Sequence, residues 1–69
     1  MGYHTVMKGG PGRAANYREF MLDSTSDKSN LPTSVRNANG DVAGPDSKAF
    51  TRDYEHLYVL GTDDVWREV

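Results

Sequence analysis

The stretch AFTRDYEHLYVLGTDDVWREV, residues 49–69, decides the fold class of this chain. It contains three short runs rich in apolar and β-branched residues, near 49–52, 57–60 and 65–69, and polar turns separate them. Connections of about four residues between such runs are typical of antiparallel hairpins. The stretch therefore predicts a small antiparallel β-meander of three strands, and the fold class is mainly β.

One earlier strand is predicted upstream of the meander. In EFMLD, residues 19–23, Phe20 and Leu22 fall on one face of an extended chain and Met21 on the other. Because both faces of the meander are also partly apolar, we expect a cover for its second face, either this strand with the N-terminal segment or another subunit. The predicted core has six members. They are Phe20, Leu22, Phe50, Tyr58, Leu60 and Trp66.

Between the earlier strand and the meander, the sequence predicts a short helical turn and a long polar loop. STSDKSNLP, residues 24–32, fits a single turn capped by Thr25 or Ser26, and Pro32 prevents its continuation. Residues 32–48 are polar and carry the turn signals Asn39-Gly40-Asp41 and Gly44-Pro45-Asp46. We expect this stretch to be a surface loop.

The first 17 residues are predicted to form a flexible arm, and residues 18–69 a single small β domain. Glycine and proline at positions 9–12 interrupt regular structure and separate the start of the chain from the earlier strand. The arm carries the apolar residues Tyr3, Val6 and Met7, which a small body has little room to bury. We therefore interpret these three residues as candidate contacts with a neighbouring subunit.

Composition narrows the possible function classes. The chain has 69 residues, no cysteine and a net charge of −2, so neither disulfides nor thiolate metal sites can reinforce a core this small. Oligomerisation remains as a source of stability. The balanced charge predicts no binding to nucleic acid, and the short apolar runs predict no membrane span.

Several local patterns resemble reactive or binding motifs, but each is better explained as structure. GGPGR, residues 9–13, lacks the Gly-Lys-Ser/Thr ending of a phosphate loop and is interpreted as a hinge. DSTSDK, residues 23–28, has Lys28 where a calcium loop requires glycine, so Asp27 is assigned to a helix cap. His4 and His56 lack neighbours at metal-ligand spacing. We predict no metal and no cofactor.

The acidic turn residues and the aromatic residues leave two further interpretations. Carboxylates at positions 53, 55, 63 and 64 could form a catalytic pair, but exposed turns offer no cleft for one, and we predict no enzyme. Trp66, Tyr58 and Tyr54 could form a platform that stacks on sugar rings. Alternatively, Trp66 and Tyr58 are cross-strand partners in the core, which is the interpretation we favour.

Two segments resemble a known class of proteins. REFMLDSTSDKSNLPTS, residues 18–34, and DSKAFTRDYEHLYVLGTDDVWREV, residues 46–69, resemble short structural proteins encoded in the virion-assembly regions of tailed bacteriophages. The leading GGPGRAANYREF, residues 9–20, is similar to the basic, glycine-rich arms of such proteins. The matched positions are Phe20, Asp23, Leu31, Pro32, Ala49, Asp53, Tyr58 and Trp66.

The resemblance implies a multicopy virion component without catalytic residues. Such a component would be a capsid decoration or auxiliary protein, or a small module where a head or tail fibre attaches. It would form homo-oligomers and contact other virion subunits, including the major capsid or tail protein. The alternatives are a carbohydrate-binding or host-recognition module on a phage fibre and, more remotely, a small enzyme inhibitor.

Overall fold

The protein forms one five-stranded sheet in a computed structural model that describes residues 2–9 and 16–69. The strands are β1 (Tyr3–Lys8), β2 (Arg18–Leu22), β3 (Lys48–Thr51), β4 (Leu57–Leu60) and β5 (Trp66–Glu68), and a 3₁₀ helix covers Thr25–Asn30. The strands lie side by side in chain order. All neighbouring pairs are antiparallel except β2 and β3, which are parallel. The prediction of a mainly β fold is confirmed.

The parallel pair requires a crossover connection, which residues 23–47 provide. Parallel neighbours cannot be joined by a tight hairpin, so the chain must return across the sheet before β3 begins. On its way it places Leu31, Pro32 and Ala43 against one face of the sheet, where all three are buried. The crossover, predicted as a surface loop, therefore supplies the second layer of the molecule.

The 3₁₀ helix ties this crossover to the beginning of β1. Its N-cap is Ser24, not the predicted Thr25 or Ser26, and the predicted role of Asp27 in the cap is observed. The buried carboxylate of Asp27 accepts hydrogen bonds from the backbone N–H of Ser24 and of Gly2, each at 3.1 Å. Asp27 thus satisfies one donor at the helix start and one just before β1.

The core lies between the crossover and one face of the sheet. Of the six predicted core residues, five are buried there: Phe20, Leu22, Tyr58, Leu60 and Trp66. The ring of Phe20 packs edge-on against Trp66, with centroids 6.2 Å apart. The indole N–H of Trp66 donates to the carbonyl of Pro32 at 2.8 Å, which joins β5 to the crossover.

Phe50 differs from the expectation because of the register of β3. Ala49, not Phe50, is the partner of Tyr58 on the neighbouring strand, and Phe50 pairs with Leu57. Side chains alternate between the two faces along a strand, so a shift of one residue moves a side chain to the opposite face. The small Ala49 therefore enters the core, and Phe50 lies on the opposite side, half-buried.

The described part of the predicted arm also differs from the expectation. Residues 3–8 form β1, which pairs with β2 of the same chain, and the ring of Tyr3 packs edge-on against Phe20 at 5.2 Å. The alternating sequence YHTVMK can form a ladder with β2, and the hydrogen bond from Gly9 N–H to the Tyr17 carbonyl closes it. Of the predicted hinge, residues 9–13, only Gly9 is described, and positions 10–13 lie outside the described residues.

Replacing Trp66 tests the contact between β5 and the crossover. Trp66→Ala removes a buried ring and leaves the Pro32 carbonyl without its donor, at a cost of about 3–5 kcal/mol. A core this small supplies little more than that. We expect the variant to be largely unfolded at 25 °C by circular dichroism. Val35→Ala, at an exposed position, is the control and should keep the urea midpoint; equal midpoints for both variants would contradict the assignment.

Candidate interaction surface

The face of the sheet opposite the crossover carries a row of apolar side chains. Met21, Phe50 and Leu57 are successive cross-strand partners on β2, β3 and β4, and partners in register project from the same face. Val69 continues the row, since its N–H donates to the Leu57 carbonyl at 2.8 Å. Leu57 is 39% exposed and Val69 81%. We call this side of the sheet the open face.

Other apolar residues extend the row along the open face. Met7 and Val59 project there because their register partners, Glu19 and Lys48, belong to the same face. Val65 lies beside Gly61 beyond the ends of β4 and β5 and is 45% exposed. The apolar members of the open face are Met7, Met21, Phe50, Tyr54, Leu57, Val59, Val65 and Val69.

Tyr54 belongs to this surface through its contact with Phe50. The two rings stack with centroids 5.7 Å apart and planes 19° from parallel, and Tyr54 is 75% exposed. The turn after β3 holds Tyr54 in the left-handed region at φ 61°, with its N–H donating to the Thr51 carbonyl at 2.9 Å. The turn therefore displays a tyrosine ring on the open face.

Asp53 fixes that turn. Its carboxylate accepts the Thr51 hydroxyl at 2.5 Å and the backbone N–H of Glu55 at 3.0 Å. These two hydrogen bonds, the Thr51 hydroxyl foremost, hold the pKa of Asp53 below its usual value. Asp53 is one of the four turn carboxylates that the sequence offers for a catalytic pair. In the structure it stabilises the turn that carries Tyr54.

Charged side chains flank the apolar row and engage one another. Tyr17 donates its hydroxyl to Glu19 at 2.5 Å, and the Lys48 ammonium lies 5.4 Å from the centre of the Tyr17 ring. Arg67 forms two hydrogen bonds with Asp63, at 3.0 and 2.7 Å. The hydrogen bonds from Arg67 lower the pKa of Asp63. An apolar centre beside a charged margin is the usual composition of a protein–protein interface.

The structure separates the three candidate contact residues of the arm. Tyr3 contacts the core, whereas Met7 projects from the open face. Val6 is 45% exposed and lies where the pairing of β1 with β2 shifts by one residue, between Thr5 and Met7. Only Met7 can be assigned to the open face from its register.

The three rings of the possible sugar platform do not meet. Trp66 and Tyr58 are buried on the core face, at 6% and 4% exposure, and Tyr54 lies on the open face. Trp66 and Tyr58 are thus both core residues, as the favoured interpretation expected. They are not cross-strand partners, however, because Trp66 pairs with Leu60 and Tyr58 pairs with Glu68. A stacking surface for a ligand would have to use Tyr54 and Phe50 instead.

Several acidic residues and His56 are engaged in structural contacts. Asp23 pairs with Arg52 at 2.7 Å, and both carboxylate oxygens of Asp64 accept hydrogen bonds from Ser34. His56 contacts Glu68. In residues 2–9 and 16–69, no three His, Cys, Asp or Glu side chains are grouped closely enough to hold a metal ion.

The sequence alone does not show that Phe50 and Met21 belong to the apolar row of the open face. The available signal was the alternation in KAFT, where small Ala49 and polar Thr51 share a face and Phe50 projects from the other.

Comparisons with protein-family models, curated proteins and solved structures found no match for this chain. Within the described residues, no helix has the length and apolar character needed to cross a membrane.

The contact between His56 and Glu68 predicts a pH dependence of stability. The Glu68 carboxylate lies 2.7 Å from His56 Nδ1, and this hydrogen bond raises the pKa of His56 above its ordinary value of 6.5. Because the pKa is higher in the folded chain, the contribution is fully present below the unfolded pKa and is lost as the pH rises through the folded pKa.

An NMR titration of the His56 ring protons measures this effect directly. We expect Glu68→Gln to lower the pKa of His56 and to flatten the pH dependence of the urea midpoint above pH 6.5. Both groups lie at the surface, so the change in stability should be small and should decrease further in high salt. A His56 titration unchanged in the variant would contradict the assignment.

Proposed function

We propose that this chain is a structural protein that acts through protein–protein contacts made by its open face. Following the resemblance described above, we propose that it is a multicopy component of a tailed-phage virion. The observation that supports the contact role is the apolar row from Met21 through Phe50 and Leu57 to Val69. This row reaches from β2 to the end of the chain, opposite a core that the crossover already covers.

Burying the apolar row against a partner would stabilise the complex through the hydrophobic effect. Complete burial of a Val, Leu, Phe or Met side chain contributes about 1.5–3 kcal/mol. A second layer could pack on the open face at the spacing of about 10 Å that sheets adopt when they stack. A partner that binds only the folded chain also stabilises it by mass action, which matters in a chain with so small a core.

The size of the open face favours many weak contacts over one strong pair. Five strands spaced about 4.8 Å apart, with about four residues each, give a face of roughly 24 by 13 Å. That is well below the roughly 800 Å² that each partner buries in a stable pair. Contacts of this size become effective when many copies are held together, as in a virion shell or at a fibre attachment point.

The alternative function, a carbohydrate-binding or host-recognition module on a fibre, retains one observation in its favour. Tyr54 stacks on Phe50 and is 75% exposed, so an aromatic surface is available on the open face. The two functions differ in their response to a soluble sugar: a contact surface between subunits would be unaffected, whereas a sugar platform would be blocked.

Self-association of the isolated chain tests the contact role. Leu57→Glu places a charge in the middle of the apolar row, and we expect it to weaken association without unfolding the chain. Sedimentation velocity up to a concentration of ~1 mM measures this, because millimolar dissociation constants are then detectable. Val35→Glu is the matched control, since Val35 is exposed on the crossover. Equal association of both variants and the parent would contradict the proposal.

The virion role needs a separate measurement. Mass spectrometry of purified phage particles encoding this sequence should detect the chain at many copies per particle. We expect a phage carrying the Leu57→Glu substitution to lose the chain from its particles, while one carrying Val35→Glu retains it. Recovery of the chain only in the soluble fraction of the lysate would overturn the virion assignment and leave the contact role to be decided by sedimentation.

A further inference from the structure

A polar cleft of about 420 Å³ lies on the crossover side of the molecule, away from the open face. Its walls come from the beginning of β1, the end of the 3₁₀ helix and the loop that follows the buried Pro32. The lining includes three carboxamides, a serine hydroxyl, a half-buried tyrosine and a buried leucine. These are Tyr3, Ser29, Asn30, Leu31, Asn37 and Asn39.

Asn37 makes one wall of the cleft rigid. Its side-chain N–H groups donate to the Tyr3 hydroxyl at 2.6 Å and to the Asn30 carbonyl at 3.0 Å. Its side-chain oxygen accepts the backbone N–H groups of Asn39 and Asp41, at 3.1 and 3.0 Å. All four hydrogen-bonding positions of this carboxamide are therefore in use. A wall fixed in this way loses little conformational freedom when a ligand binds.

Tyr3 anchors the same wall to β1. Its hydroxyl donates to the Asp41 carboxylate at 2.7 Å while accepting from Asn37. Burial raises the pKa of the Tyr3 hydroxyl, so the group stays protonated and continues to donate. The Asp41 carboxylate is thus engaged by Tyr3, and Asp41 is not among the described lining residues of the cleft.

Asn30 and Asn39, which line the cleft, retain unused hydrogen-bonding capacity. The side-chain oxygen of each has no partner among residues 2–9 and 16–69, and the amide of Asn39 reaches the Tyr3 hydroxyl only at 3.4 Å. Ser29 donates to the Ser26 carbonyl at 3.3 Å and keeps its acceptor positions. A ligand in the cleft would therefore meet both acceptors and donors.

We propose that this cleft binds a neutral saccharide. Sugar hydroxyls can donate to the free carboxamide oxygens and accept from the Asn39 amide, and the C–H surface of a sugar ring can lie against the half-buried ring of Tyr3. The described lining residues include no charged side chain, so an ionic ligand would lose hydration without gaining a counter-charge from them. The volume falls within the usual range of small-ligand sites, about 300–1,000 Å³. The site is independent of the open face.

Binding can be measured by NMR on the full-length chain labelled with ¹⁵N. The probes are glucose, galactose, mannose and N-acetylglucosamine with their short oligosaccharides, and glycerol serves as a non-specific polyol. We expect one saccharide to shift the side-chain amide signals of Asn30 and Asn39 in a saturable manner, with glycerol leaving them unchanged. No saturable shift with any saccharide, or equal shifts with glycerol, would overturn the proposal.

Variants of the cleft connect the shifts to specific groups. Asn39→Ala removes the free carboxamide but keeps the backbone N–H that donates to Asn37, so the fold should be retained. Loss of one or two hydrogen bonds should weaken saccharide binding roughly tenfold. Thr62→Ala, in the turn between β4 and β5, is the control and should bind like the parent. Unchanged affinity in Asn39→Ala, with its thermal midpoint also unchanged, would overturn the assignment.

Discussion

The parallel pairing of β2 with β3 is the constraint on which the rest of the structure depends. In an all-antiparallel meander of this length every connection would be a short hairpin, and both faces of the sheet would remain uncovered. The parallel pair forces residues 23–47 to cross the sheet, and this crossover buries the core face. The hydrogen bond from Trp66 to the Pro32 carbonyl then fastens the crossover to the far edge of the sheet.

Residues 2–9 and 16–69 cover one face of the sheet in this way. The crossover and the 3₁₀ helix use 25 residues between Leu22 and Lys48 to bury the core face. Among the described residues, none forms a second layer on the opposite face, and the apolar row remains there. The exposed row is therefore a direct consequence of the topology in a chain this short.

The sequence predicts the strands of the meander well because each contains its own local signal. LYVL, residues 57–60, matches β4 as predicted, since β-branched and aromatic residues lie between two polar turns. Phe50 shows the limit of this reasoning: its face depends on which residue of β3 pairs with Tyr58, and register is set by contacts distant in the sequence.

The N-terminal strand and the full extent of the open face could not be predicted for a related reason. YHTVMK has the alternation of a strand, but the glycines that follow indicated an interruption, and the hairpin with β2 depends on long-range ladder bonds. The row formed by Met21, Phe50 and Leu57 joins residues from three separate segments. Each residue is unremarkable in its own segment, so the surface exists only once the strand order is known.

The two edges of the sheet also bear on how copies of the chain can meet. An unprotected edge strand invites further strands to pair with it, which leads to open-ended growth. Here β5 has only three residues, two of them the charged Arg67 and Glu68, and the ladder of β1 is irregular between Thr5 and Met7. Short charged edges and bulges are the features that discourage strand addition. Under the proposed contact role, the open face rather than either edge is therefore the surface that copies of the chain would share.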